Sequence, residues 1–219
     1  MNIGVLGGTF NPIHIGHLKV AEEAVARLDL PRILFMPAGQ PWLKASNVNA
    51  ISPVQHRLEM VRLGIAGNPR FKLSTLEIER TGPTYTVNTI TQLQSQLGAG
   101  DEIFFILGWD NLSQLPRWHK PERLIEMCRL VAVPRVDFPL PDLPALEKEL
   151  PGIAERVILF DKPRVDVNAS EIRRRVARGL SISDFVPEPV ERYIKEHGLY
   201  AREKPEISRF LTLLACAWM

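Results

Sequence analysis

An α/β fold built on a doubly wound parallel sheet follows from three features of the sequence. Short apolar runs of strand character alternate with segments of helical spacing along most of the 219 residues. Gly or Pro punctuates the ends of these runs, as at Gly7 and Gly8 and again at Pro37 and Gly39. The segment from Glu102 to Gly108, EIFFILG, is apolar almost throughout, the pattern of a strand covered on both faces. Strands that alternate with helices in this way make crossover units and a parallel sheet.

The opening IGVLGG ends in its Gly pair and reads as the first strand; the amphipathic stretch from about His17 to Leu28 is the helix after it. A second strand runs from Arg32 to Met36, and after a polar loop Leu58, Val61 and Ile65 give the segment from Pro53 to Ile65 helical spacing. A strand from Phe71 to Ile78 precedes a turn from Arg80 to Thr84, a helix from about Thr86 to Leu97, and then EIFFILG. Further on, the pattern predicts a helix from Pro121 to Met127, strands from Leu130 to Val133 and Val157 to Phe160, and a helix from Ala169 to Arg178. The Pro- and acid-rich stretch from Asp137 to Pro151 reads as a surface excursion within one domain, being too short to separate two cores. Residues 1–200 are expected to form that domain and residues 201–219 a tail outside the pattern. The apolar run from Phe210 to Trp218 spans about half of the roughly 20 residues a membrane helix needs, so no membrane span is expected.

Composition narrows the function. Hydrophobic residues are 45% and charged residues 24% of the chain, the balance of a soluble globular domain. The 27 Lys and Arg against 25 Asp and Glu leave a net charge of +2, too little for an extended nucleic-acid footprint, so any anion site must be local. Cys128 and Cys216 stand far apart and outside metal-ligand spacing, which argues against a disulfide scaffold and for a reducing cytoplasm. The N-terminus has neither the basic nor the apolar region of a secretory signal.

The most informative stretch, Gly7 to His17, joins the first strand to the first helix. Parallel sheets bind ligands at the carboxyl ends of their strands, and backbone N–H groups at a helix start favour phosphate. Gly7 and Gly8 let the backbone approach a ligand, Gly16 removes a side chain where the helix begins, and His14 and His17 can both face one anion. The plain alternative is a tight turn carrying two unrelated histidines. Neither a Walker A sequence nor G-x-G-x-x-G is present.

GGTFNPIHIGH resembles the H-x-G-H signature of the nucleotidyltransferase superfamily, in the version typical of bacterial nicotinate-nucleotide adenylyltransferases, with His14-Ile15-Gly16-His17 as the match. The resemblance covers residues 2 to 200 and implies a Rossmann-like nucleotidyltransferase fold. It implies that His14 and His17 hold the ATP phosphates and stabilise charge at the α-phosphate, with Gly7, Gly8, Thr9, Phe10 and Gly16 around the nucleotide.

Three more segments extend it. Asn168-Ala169-Ser170-Glu171-Ile172-Arg173 resembles the family's I-S-S-T-x-I-R, with Asn168 and Ala169 in place of two serines. Asn168 or Ser170 can cap the following helix, and Arg173 can give charge-assisted bonds to phosphate, although a run containing Arg173, Arg174, Arg175 and Arg178 also reads as a basic surface helix. The resemblance places Asn168, Ser170 and Ile172 at ATP. Arg80-Thr81-Gly82-Pro83-Thr84-Tyr85-Thr86 is similar to the segment whose backbone around Thr84 and Tyr85 binds the pyridine carboxylate. Gly108-Trp109-Asp110, followed by Leu115-Pro116-Arg117-Trp118, is similar to the segment whose Asp binds a ribose hydroxyl and whose Trp stacks on the pyridine, here Asp110 and Trp118.

Lys44 occupies a loop where the family often has a basic residue near the substrate phosphates. Arg57 falls in a helix, where pairing with a carboxylate is its ordinary use, and Arg135 ends a strand that could border the adenine.

The implied activity is adenylyl transfer from ATP to nicotinate mononucleotide, with Mg accompanying ATP, no nucleic-acid or membrane partner, and room for homo-oligomerisation. Two rivals stand beside it: the same chemistry on another acceptor, such as phosphopantetheine or nicotinamide mononucleotide, and a catalytically silent nucleotide-binding regulator.

Overall fold

A computed structural model describes residues 2–39, 51–98, 100–164 and 166–201. Lys44, Cys216 and the apolar run after Phe210 lie outside the described residues.

Six parallel strands form one sheet: β1 (Ile3–Gly8), β2 (Ile33–Pro37), β3 (Phe71–Leu73), β4 (Ile103–Gly108), β5 (Arg129–Val133) and β6 (Val157–Leu159), in the order β3-β2-β1-β4-β5-β6. The strand order reverses between β1 and β4, which pair from Ile3 with Ile103 to Leu6 with Ile106. A crevice therefore opens beyond the carboxyl ends of these two strands, where doubly wound sheets bind nucleotides.

Side chains alternate across the sheet into two cores. Leu6, Phe104, Ile106, Val131 and Val133 face the helices α1 (Ile15–Leu28), α2 (Val54–Ile65), α8 (Ala169–Ala177) and α9 (Glu188–Glu196). Ile3, Val5, Ile103, Phe105, Leu107 and Leu130 face α4 (Thr86–Gln94), α6 (Pro121–Met127) and α7 (Leu143–Glu149). This double coverage is why EIFFILG carries so little polarity. None of the helices among the described residues is long and apolar enough to cross a membrane.

Two expectations need correction. The strand expected from Phe71 to Ile78 stops at Leu73, and a helical turn, α3 (Leu76–Glu79), follows. The apparent alternation of Leu76 and Ile78 misleads because Glu77 is the buried residue, 8% exposed, its Oε1 accepting the Thr89 hydroxyl at 2.8 Å. The backbone here also runs against the β2 loop, where a Cβ on Gly39 would lie 2.3 Å from Glu77 O. The stretch from Asp137 to Pro151 is more than a surface excursion, since Asp142 caps α7 by accepting the Ala145 N–H at 3.0 Å, and Leu146 and Leu150 enter the second core. Two short elements after β4, α5 (Trp109–Ser113) and a 3-10 turn (Leu115–Arg117), together with α9, complete the fold. The i, i+4 pair Val190 and Ile194, buried in the first core, is the sequence signal for α9.

Candidate active site

The loop after β1 is shaped by Phe10, whose φ of 48° lies in the left-handed region that a bulky residue seldom occupies. Its ring fills the space beside Gly8, where a Cβ would sit 3.2 Å from the ring. Gly8 thus makes room for an aromatic platform. That platform meets His17 edge-on at 4.9 Å, and His17 in turn stacks on His14 at 3.6 Å.

His14 is the N-cap of α1, and its backbone N–H donates to His17 Nδ1 at 3.2 Å. In the neutral ring the proton must then reside on Nε2, which leaves His17 as a fixed N–H donor. Gly16 is buried in the first helical turn.

Arg173 comes to this loop from the far end of the chain. Its NH1 donates to Asn11 O at 2.7 Å and its NH2 to Ser170 Oγ at 3.1 Å. Asn168 caps α8, its Oδ1 accepting the Glu171 N–H at 2.8 Å. The neighbouring arginines are otherwise engaged: Arg174 pairs with Glu171 at 2.8 Å, and Arg175 donates to Ser181 O while covering the Phe185 ring. The side chain of Ile172, the residue expected at ATP, is fully buried in the core, and its N–H donates to Asn168 O at 3.3 Å. Its contribution is packing.

On the other side of the switch point, Asp110 lies in the first turn of α5. Its Oδ2 accepts from Arg135 NH1 at 2.7 Å, while Oδ1 is buried without a hydrogen-bond partner among the described residues. Gly108 permits this, for a Cβ there would lie 2.3 Å from Asp110 Oδ1. Trp118 meets Phe105 edge-on at 6.2 Å, and Phe105 lies 3.6 Å from where a Cβ on Gly7 would be. Tyr85 is the N-cap of α4 and stacks on His119 at 4.3 Å, so the third and fourth segments join; Thr84 beside it is 9% exposed.

Among the described residues Arg57 pairs with no carboxylate. It is 2% exposed and donates to three backbone carbonyls, those of Thr9 at 3.0 Å, Ala38 at 2.9 Å and Ser52 at 3.2 Å, tying the β1 and β2 loops together. The Arg57 bonds were not legible in residue patterns, since their acceptors are main-chain atoms, and the bonds to Asn11 were not because they join residues 41, 162 and 189 positions apart.

The model of the cytidylyltransferase-like family matches residues 5–175. A relative from Dehalococcoides mccartyi, named "Probable nicotinate-nucleotide adenylyltransferase", is 50% identical over 203 residues, 93% of this chain and 98% of its own. One of the same name from a Roseiflexus species is 44% identical over 198 residues, 90% of this chain and 97% of its own. The chain belongs to the nicotinate-nucleotide adenylyltransferase family. The fold agrees: the solved structure of Plasmodium falciparum nicotinic acid mononucleotide adenylyltransferase complexed with NaAD matches with a TM-score of 0.71, at 21% identity, over 91% of this chain and 97% of that one.

Two buried ionisable groups near the family motifs carry opposite pH dependences. Burial, helped by the positive field of Arg135, pushes His14 from 6.5 down to about 4. The unfolded chain binds this proton first, so His14 contributes stability that is full above pH 6.5 and lost as the pH falls towards 4. Burial pushes Glu77 from 4.5 up to about 7, against the lowering effects of the Thr89 hydrogen bond and of Arg80. The folded state holds that proton, so Glu77 costs stability progressively as the pH rises from 4.5 to 7. Each shift is worth roughly 3 kcal/mol when fully developed.

Glu77→Gln is expected to be more stable than the parent by about 2–3 kcal/mol at pH 8 and equal to it near pH 4. Denaturant unfolding at the two pH values checks this, and an equal gain at both would remove ionisation as the cause.

Proposed function

We propose that this protein transfers AMP from ATP to nicotinate mononucleotide, giving deamido-NAD and pyrophosphate, with His14, His17 and Arg173 as the groups that act on the triphosphate. The observation that carries this reading is the convergence of a tautomer-fixed His17 and the Arg173 guanidinium on one loop at the carboxyl end of β1.

An oxygen of the mononucleotide phosphate attacks the ATP α-phosphorus in line, and the bond to the bridging oxygen breaks, its electron pair leaving with pyrophosphate. The attacking phosphate is already an anion, so no general base is needed; positioning and charge stabilisation supply the acceleration. His17 Nε2–H donates to the oxygens on which charge develops. His14, neutral at pH 7, contributes a hydrogen bond rather than a charge. Arg173 adds the positive charge at the β or γ phosphate.

Magnesium enters bound to ATP, as part of the substrate, and neutralises the triphosphate. Among the described residues no three His, Cys, Asp or Glu side chains gather into a metal-binding group. Phosphate oxygens and water therefore suit it as donors. Gly7, Thr9, Gly16, Asn168 and Ser170 line the nucleotide side, with Gly8 and Phe10 acting through the His17 platform. Lys44 is assigned to the mononucleotide phosphate on the resemblance alone.

The acceptor site draws on the second half of the crevice. The backbone around Thr84 and Tyr85 leads into the start of α4, where N–H groups without an acceptor in the helix suit a carboxylate and suit a carboxamide poorly. Trp118 offers its face to the cationic pyridine. The buried Oδ1 of Asp110, without a partner among the described residues, is an acceptor for a ribose hydroxyl. Gly108→Ala pushes that carboxylate aside and is expected to weaken mononucleotide binding about tenfold, with ATP binding unchanged, as calorimetry would show. Equal affinity for the mononucleotide would remove Asp110 from the site.

The deciding experiment is pyrophosphate release from Mg-ATP with nicotinate mononucleotide, nicotinamide mononucleotide and phosphopantetheine in parallel. Selective turnover of the nicotinate substrate supports the reading. Turnover of another acceptor keeps the chemistry and discards the carboxylate assignment, and silence with all three favours a binding-only protein. The setting inferred for the enzyme is the cytoplasm.

A further inference from the structure

We propose that Tyr200 is a positioning residue for the ATP-phosphate loop, its hydroxyl holding Asn11 so that the Asn11 carbonyl aims Arg173 at the triphosphate. The proposal rests on the reading of the site given above and adds a residue from outside every recognised motif.

Asn11 is 4% exposed and lies three residues before His14. Its Oδ1 accepts the Tyr200 hydroxyl at 2.8 Å and the Ser52 N–H at 3.2 Å, and its backbone oxygen accepts Arg173 NH1 at 2.7 Å. Three distant chain segments thus meet on one residue of the histidine loop. Arg57 holds the neighbouring Thr9 and Ser52 carbonyls. A shift of Asn11 would therefore move Arg173 and the approach to His14 together.

Tyr200 is itself held. Val190 and Ile194 of α9 are buried in the core against α2, and His56 Nδ1 lies 2.9 Å from the Tyr193 hydroxyl. After α9 the chain turns back through the bond from Leu199 N to Ile194 O, 3.0 Å, into Tyr200 at a φ of 63°. A left-handed conformation at a tyrosine costs free energy and persists where surrounding contacts dictate it. Burial pushes the Tyr200 hydroxyl up to about 12, so it remains an O–H donor at working pH. The site is thereby coupled to the packing of α9.

Tyr200→Phe keeps the ring and removes the hydroxyl, which besides Asn11 also meets Ser52 and, at 3.8 Å, Met60 Sδ. Calorimetry with Mg-ATP alone is expected to show affinity weakened about tenfold, with nicotinate mononucleotide affinity within about twofold of the parent and Tm within about 3 °C. Tyr193→Phe, within α9 and bonded to His56 rather than to Asn11, is expected to lower Tm slightly and leave ATP affinity unchanged. Unchanged ATP affinity in Tyr200→Phe, equal weakening of both ligands, or equal weakening of ATP in Tyr193→Phe would each overturn the proposal.

Hydrogen exchange on the unaltered protein gives a second reading, independent of how the variant folds. Saturating Mg-ATP is expected to slow exchange at residues 198–201 together with residues 9–12; slowing confined to 9–12 would also overturn it. A parent protein that binds ATP but fails to turn over nicotinate mononucleotide would sink the proposed reaction and leave the Tyr200 comparison intact.

Discussion

Turnover by His17→Ala is expected to fall about 10²–10³-fold, with the KM for ATP changed far less. The ring is fixed before substrate arrives: Phe10 supports its edge, His14 stacks on its face, and the His14 N–H occupies Nδ1. Its remaining donor therefore needs no reorganisation when charge moves onto the α-phosphate oxygens. Loss of one such donor corresponds to roughly 3–4 kcal/mol of transition-state stabilisation, and a loss confined to the transition state appears in kcat. The fold should survive, since the residue is only partly buried and truncation removes packing at the edge of the core. Steady-state kinetics with both substrates varied, alongside a melting curve, make the test. Turnover within tenfold of the parent in a folded variant would strip His17 of this role.

Arg173→Ala should lower kcat/KM for ATP about 10²-fold, and Arg173→Lys should recover only part of that loss. The guanidinium forks between Asn11 O and Ser170 Oγ while presenting its charge to the loop, which an ammonium group cannot reproduce at three points. The alanine variant also leaves the Asn11 carbonyl without its donor, so a stability loss of about 1–3 kcal/mol accompanies the kinetic effect. If lysine and alanine perform equally, charge at position 173 is not what the reaction uses. The same substitutions at Arg174 are expected to be silent, because that side chain is exposed and paired with Glu171.

That contrast shows where the sequence stops being informative. Arg173, Arg174 and Arg175 are three consecutive identical side chains, and composition offers no reason to prefer one. The resemblance picks Arg173, and the rotation of α8, set by burying Ile172, explains the choice: one arginine faces the loop, one faces solvent, and one packs on Phe185. The histidines were legible because they act from a single βα turn whose neighbours in space are its neighbours in sequence. Asn11, Arg57 and Tyr200 were not. Their partners lie 162, 48 and 189 residues away, and several of the bonds end on backbone carbonyls that every residue type carries.

Glu77 illustrates the reverse failure. Its stretch alternates like a strand, yet the approach of the β2 loop and the hydroxyl of Thr89 draw the carboxyl inward and turn the chain into α3.

The α/β class, the parallel sheet, most of the strands and helices, and the family are legible from residue order, because periodicity and short motifs are local properties written in side-chain identity. Where β3 ends, that α7 closes the second core, and how Asn11 gathers Arg173, Ser52 and Tyr200 around the histidine loop emerge only in three dimensions. Those outcomes depend on contacts between residues far apart in the chain, many made to main-chain atoms, and such contacts leave no pattern in the order of residues.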